Sequence, residues 1–108
     1  MSMAIYFYTN SMGINPAIVV VAFNRVAPLQ RLLNSLSQAI YTNTQVELII
    51  SIDKSNDTEV KTIAENFEWK FGTKKIISHE EHLGLKKHLL WCGSLTKQYK
   101  AVIILEDD

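Results

Sequence analysis

The run Ala17-Ile-Val-Val-Val-Ala-Phe23 is apolar at every position and rich in β-branched residues. A strand of this kind has no face to offer water, so it must be covered on both sides, as a central strand of a parallel α/β sheet is. Three more segments read as strands: Val46–Ile52, the short Lys75–Ser78, and Ala101–Leu105. Between them lie helical patterns. Pro28 suits a first helical turn, and Leu29, Leu32, Leu33, Leu36 and Ile40 then recur on one face. Asn56 and Glu59 have capping-box spacing ahead of Val60, Ile63, Ala64 and Phe67, and Gly72 closes that region. A third helix starts near Gly84, with Leu85, Leu89, Cys92, Leu95 and Tyr99 spaced for one face. Residues 1–16 read as an irregular amino-terminal segment.

Strands alternating with helices imply an α/β, Rossmann-like parallel sheet with right-handed crossovers. With the first two helices on one face and the last strand returning beside the first, the strand order is 3-2-1-4. Ligands bind such sheets outside the carboxyl ends of the strands, where the order reverses. Three polar ends meet there: Asn24-Arg25, Asp53, and the triplet Glu106-Asp107-Asp108.

With 108 residues the chain is a single domain. Lys plus Arg and Asp plus Glu balance at 11 each, so no basic field draws it to nucleic acid. The single Cys92 can form no internal disulfide and fits a reducing compartment. Met3–Tyr8 is too short for a signal-peptide core, and no run is long enough for a membrane span. These features imply a cytoplasmic location, with peripheral membrane attachment left open.

Three adjacent carboxylates repel one another unless a cation, a sugar hydroxyl or open solvent relieves them. A divalent ion such as Mg²⁺ or Mn²⁺ takes oxygen ligands of this kind, with phosphate and water completing the shell. The plain alternative is a solvated strand end. Arg25 offers a planar fork for a diphosphate, or is a surface arginine at a helix start. Asp53 could accept hydrogen bonds from a base or ribose, or cap a turn. His79, His82 and His88 lack a His-Glu-x-x-His zinc pattern, and of the three His82 is the candidate nucleotide contact. Lys74-Lys75 and Lys86-Lys87 read as solvated charges, and Trp69 and Trp91 as core anchors. The turn Phe23–Pro28 carries neither a glycine-rich dinucleotide fingerprint nor a P-loop, which argues against dehydrogenases and P-loop ATPases.

Together, Ile18–Arg25, Ser51-Ile-Asp53, His82-Leu-Gly84 and Val102–Asp108 resemble the amino-terminal half of a GT-A glycosyltransferase. The similarity is to family-2-like enzymes and to N-acetylglucosaminyltransferases with a Glu-Asp-Asp version of the Asp-x-Asp motif. It implies that residues 17–108 are a partial nucleotide-sugar-binding domain, truncated at the metal motif. The donor it implies is a UDP-sugar with Mn²⁺ or Mg²⁺, and the acceptor a glycan or polysaccharide. Asp108 would hold the metal, while Glu106 and Asp107 face the ribose, the sugar or metal-bound water. Arg25, beside Asn24, would meet the diphosphate, Asp53 would read uracil, and His82 would lie near the base. The family's acceptor region and general base follow the metal motif, so the chain alone is expected not to transfer sugar. The competing reading is a noncatalytic Rossmann-like module that self-associates through the exposed edge of the fourth strand.

Overall fold

The computed structural model describes residues 3–9, 16–39, 45–56, 58–97, 99 and 101–107, with 3–9, 96, 97 and 107 described in backbone only. Along the chain run β1 (Met3–Thr9), β2 (Ala17–Ala22), α1 (Val26–Gln38), β3 (Glu47–Ile52), α2 (Glu59–Asn66), β4 (Lys74–Ser78), α3 (Gly84–Gly93), a 3₁₀ turn (Ser94–Lys97) and β5 (Ala101–Asp107). The sheet order is β1-β5-β2-β3-β4. Strands β4, β3, β2 and β5 are mutually parallel. They reproduce the order 3-2-1-4 expected from the sequence.

The period-two alternation of β2 explains why its run is wholly apolar. Ile18, Val20 and Ala22 join one core cluster with Leu29, Leu32, Leu33 and Leu36 of α1 and with Val60 and Ala64 of α2. Ala17, Val19 and Val21 join the opposite cluster with Cys92, Leu95 and Tyr99. Helices α1 and α2 therefore cover one face and α3 the other, so each apolar side chain of β2 leaves water. Pro28 is the third residue of α1, where its missing N–H forfeits no intrahelical bond.

The structure corrects the sequence reading at four places. Met3–Thr9 is a strand, antiparallel to β5 from Met3↔Asp107 to Thr9↔Ala101. Its Ile-Tyr-Phe-Tyr-Thr composition is strand-forming. The edge of β5, where self-association was expected, is thus already paired with β1. Helix α2 is capped by Thr58 without a side-chain bond, so the Asn56/Glu59 capping box does not form. On α3 the buried positions are His88 and Cys92, whereas Leu85 is 53% exposed and Leu89 half-buried. The rest of the expected stripe holds, with Cys92, Leu95 and Tyr99 in the core of that face and Leu89 packed against them, although the helix ends at Gly93 and a 3₁₀ turn follows; His88 takes the inward position in place of Leu85. Finally, Gly72 lies six residues beyond the last residue of α2, and its role is close packing.

The backbone of Val46 approaches Gly72 so closely that a Cβ there would lie 2.3 Å from the Val46 carbonyl oxygen. That carbonyl also accepts the Trp69 indole N–H at 2.7 Å, and the Val46 N–H donates to Phe71 at 2.9 Å. The entry to β3 is therefore fixed from both sides. Gly72→Ala is expected to destabilise the fold by roughly 2 kcal/mol or more, since backbone must move to admit the methyl group. Gly84→Ala, at φ 75° with open space around it, should cost about 1 kcal/mol through backbone strain alone. Urea unfolding of both variants measures the difference; a Gly72→Ala protein as stable as wild type would contradict the close approach.

Candidate functional site

At the carboxyl ends of the parallel strands lies a cleft of about 290 Å³. Its wall on the β2 side runs from Val20 to Arg25, and Leu29 and Leu32 of α1 extend that surface. Asp53, just past β3, and Glu106, in β5, contribute the acidic groups. His82, Gly84, Leu85 and His88 form the side toward α3. Strand register explains the convergence: Val21 sits opposite both Ser51 of β3 and Glu106 of β5. The ladder then continues one step further, the Asp53 N–H donating to Ala22 at 2.8 Å. A second hollow, lined by Lys54, Ser55 and Asn56, shares Phe23, Asn24 and His82 with the cleft.

Asp53 is only 4% exposed and is nonetheless surrounded by donors. Its Oδ1 accepts the backbone N–H groups of Lys54 at 2.8 Å and Leu83 at 2.7 Å, and its Oδ2 accepts that of Gly84 at 2.9 Å. Oδ2 also lies 3.2 Å from His82 Nδ1. Burial pushes the Asp53 pKa up, but the donors Leu83, Gly84 and Lys54, together with His82, outweigh it and hold the carboxyl below its ordinary range. Of the two roles open to Asp53 in the sequence, turn-capping is the one seen here. Both oxygens are committed to the protein, and they fix the amino end of α3 against the end of β3. Gly84 reaches this position at φ 75°, a conformation glycine adopts readily.

Arg25 and Asn24 are both exposed and line the cleft. Arg25 is the N-cap residue of α1 and makes no side-chain capping bond. His82 is 58% exposed, and its ring centroid lies 5.1 Å from that of Phe23, which is 39% exposed. Glu106 is half-buried and lines the cleft. Asp107 belongs to β5, but only its backbone is described, and Asp108, the expected metal ligand, lies outside the described residues. Among the described residues no group of three His, Cys, Asp or Glu side chains could hold a metal ion. What the structure does supply is a hard oxygen donor, Glu106, at the cleft, with the other two acids next in the chain. Hard oxygen donors of that type suit Mg²⁺ or Mn²⁺. No helix among the described residues is long and apolar enough to cross a membrane.

Sequence reasoning missed a buried polar network beside the cleft. Ser51 is fully buried on the α3 face of β3, its Oγ 2.8 Å from His79 Nε2 and 2.7 Å from His88 Nε2. A hydroxyl carries one proton, so at least one imidazole must donate from Nε2. His79 also packs edge-on against Trp91 at 4.5 Å. A signal was present: Ser51 interrupts the apolar run from Leu48 to Ile52, and His88 lies one helical turn before Cys92. Burial lowers the His88 pKa to about 4, with His79 adding to the shift and Asp53 opposing it. His79 is lowered as well, by burial, with Asp53 again opposing.

Compared with known proteins, residues 17–108 match the family model described as Glycosyl transferase family 2. No curated protein and no solved structure matched the chain.

Because His88 is neutral in the folded state, its contribution to stability is complete above its ordinary pKa of 6.5 and is lost as pH falls from there toward about 4. Unfolded chains take up the proton first in that window, so stability drops by roughly 2 kcal/mol between pH 7 and pH 5. Asp53, with a lowered pKa, begins to contribute to the loss only below its ordinary value of 3.8. Urea midpoints across this range should fall in the wild type and change less in His88→Gln. Unchanged wild-type stability from pH 7 to pH 5 would contradict the buried neutral pair.

Proposed function

The chain belongs to glycosyl transferase family 2, and we propose that its cleft binds the nucleotide part of a UDP-sugar donor together with Mn²⁺ or Mg²⁺. The observation that carries this reading is the meeting of Arg25 and Glu106 at one cleft beyond the carboxyl ends of parallel strands. Arg25 stands where its fork can meet a diphosphate, with Asn24 beside it. The apolar surface from Leu29 and Leu32 and the ring of Phe23 give a base and ribose a dry wall.

Asp108 would hold the cation, with Glu106 and Asp107 turned to the ribose, the sugar or metal-bound water. When bound, such an ion supplies positive charge against the departing diphosphate. Arg25 adds a second, permanent positive charge on the same group, and the low exposure of the cleft floor strengthens both. The acceptor in this reading is the hydroxyl of a glycan or polysaccharide. The likeness to N-acetylglucosaminyltransferases, with their Glu-Asp-Asp motif, extends the proposal to N-acetylglucosaminyl transfer.

Titrating UDP with and without Mn²⁺ into the wild type, Arg25→Ala and Asp108→Ala tests the assignment. Binding should need Mn²⁺ in the wild type, weaken about tenfold or more in Arg25→Ala, and lose its metal dependence in Asp108→Ala. Equal, metal-independent signals from all three proteins would refute it.

A further inference from the structure

His88 is 2% exposed and yet lines the cleft. Its Nε2 is engaged by the Ser51 hydroxyl at 2.7 Å, and its Nδ1 has no partner among the described residues. Buried polar atoms are almost always paired, so an open one at a binding cleft calls for a ligand group. The Ser51 hydroxyl, which also reaches His79 Nε2 at 2.8 Å, determines what Nδ1 can do. When Ser51 donates to His88, the imidazole proton sits on Nδ1; when it donates to His79, His88 donates from Nε2 and Nδ1 is a bare acceptor. In both states the ring is neutral, as burial and the neighbouring His79 require.

We propose that His88 is a further donor-site residue, whose Nδ1 hydrogen-bonds a neutral hydroxyl of the nucleotide-sugar, on the ribose or on the sugar. This inference rests on the nucleotide-sugar reading above and adds a residue to it. A hydroxyl both donates and accepts, so it fits Nδ1 in either state, whereas a diphosphate oxygen only accepts and suits a permanent cation such as Arg25. Strand register brings a second polar group to the same side. Val21 is opposite both Ser51 and Glu106, so the three side chains share the face of the sheet that α3 covers, where Val21 packs with Cys92. Glu106 and His88 thus reach the cleft from one face of the sheet. An ionised carboxylate accepts only, so a ligand with neighbouring hydroxyls can donate one to Glu106 and use another at Nδ1. Ser51 and His79 are positioning residues, which hold the imidazole and act on the ligand only through His88.

UDP, its 2′-deoxy and 3′-deoxy forms, and UDP-glucose, each titrated with Mn²⁺ into the wild type and His88→Gln, test the assignment. Glutamine keeps an amide near the Nε2 position for Ser51 but places no polar atom at Nδ1. The variant should bind every ligand that carries the hydroxyl about tenfold more weakly than the wild type does, and any ligand that lacks it within about twofold. A loss on UDP that one deoxy form escapes identifies the ribose; a loss on UDP-glucose alone identifies the sugar. Equal losses on all four ligands, or none on any, overturn the inference while leaving donor binding intact. In the wild type, the ¹⁵N shifts of the His88 ring should move when UDP-glucose and Mg²⁺ saturate the cleft, because the hydroxyl selects one tautomer; unchanged shifts at saturation overturn the inference without any variant. A wild type that binds neither UDP nor UDP-glucose overturns the proposed function and this inference with it.

Discussion

The Asp53 carboxylate ties the end of β3 to the start of α3 through the N–H groups of Leu83 and Gly84, and the cleft exists because those two ends are held together. Four strands could pack as observed without it, since their cores are apolar and independent of any charge. The placement of His82, Gly84 and His88 along one wall, however, depends on where α3 begins. A buried carboxylate would ordinarily be costly, but three backbone donors replace its lost hydration, and the positive end of the helix favours the charged form. The same contact therefore anchors a helix and keeps a negative charge ionised inside the protein.

A second polar feature works in parallel on the same face. Ser51 is two residues before Asp53, and its hydroxyl is met by His79, just past β4, and by His88, one turn into α3. The ladder between β3 and β4 continues past their ends, with the His79 N–H donating to Ile52 at 3.0 Å, so strand pairing itself delivers His79 to Ser51. Hydrogen bonds of this kind fix the rotation of α3 about its own axis, which apolar packing of Cys92 and Leu95 alone specifies only loosely. That rotation also turns Leu85 outward to the rim of the cleft. Function and stability share the element: whatever loosens α3 also disperses one wall of the site.

Much of this was legible in the residues. The apolar alternation of β2 required two covered faces, and the order of strands and helices led to the parallel arrangement and to the end of the sheet where the site lies. Asn24, Arg25, Asp53 and Glu106 could be placed together because strand ends are where a run of β-branched residues stops, whereas His82 was carried only by the family resemblance. Three things were not legible. Met3–Thr9 pairs only with β5, about a hundred residues away in the chain, and no local pattern records such a partner. The outward turn of Leu85 was hidden because helical spacing leaves Leu85 and His88 on adjoining lines of α3, and only the bond from His88 to buried Ser51 decides which of them faces the sheet. Asp53 had two chemically sound roles, and only the positions of Leu83 and Gly84 decide between them.

Amide hydrogen exchange at Leu83 and Gly84 reaches the contact on which this account turns. Both N–H groups precede the first hydrogen-bonded turn of α3, so without Asp53 they would exchange as loop amides do. Both amides should be strongly protected in the wild type. In Asp53→Ala that protection should be lost while the amides of β2 and β3 remain protected. Rapid exchange of Leu83 and Gly84 in the wild type would show that Asp53 does not hold the amino end of α3, and the cleft described here would lose its foundation.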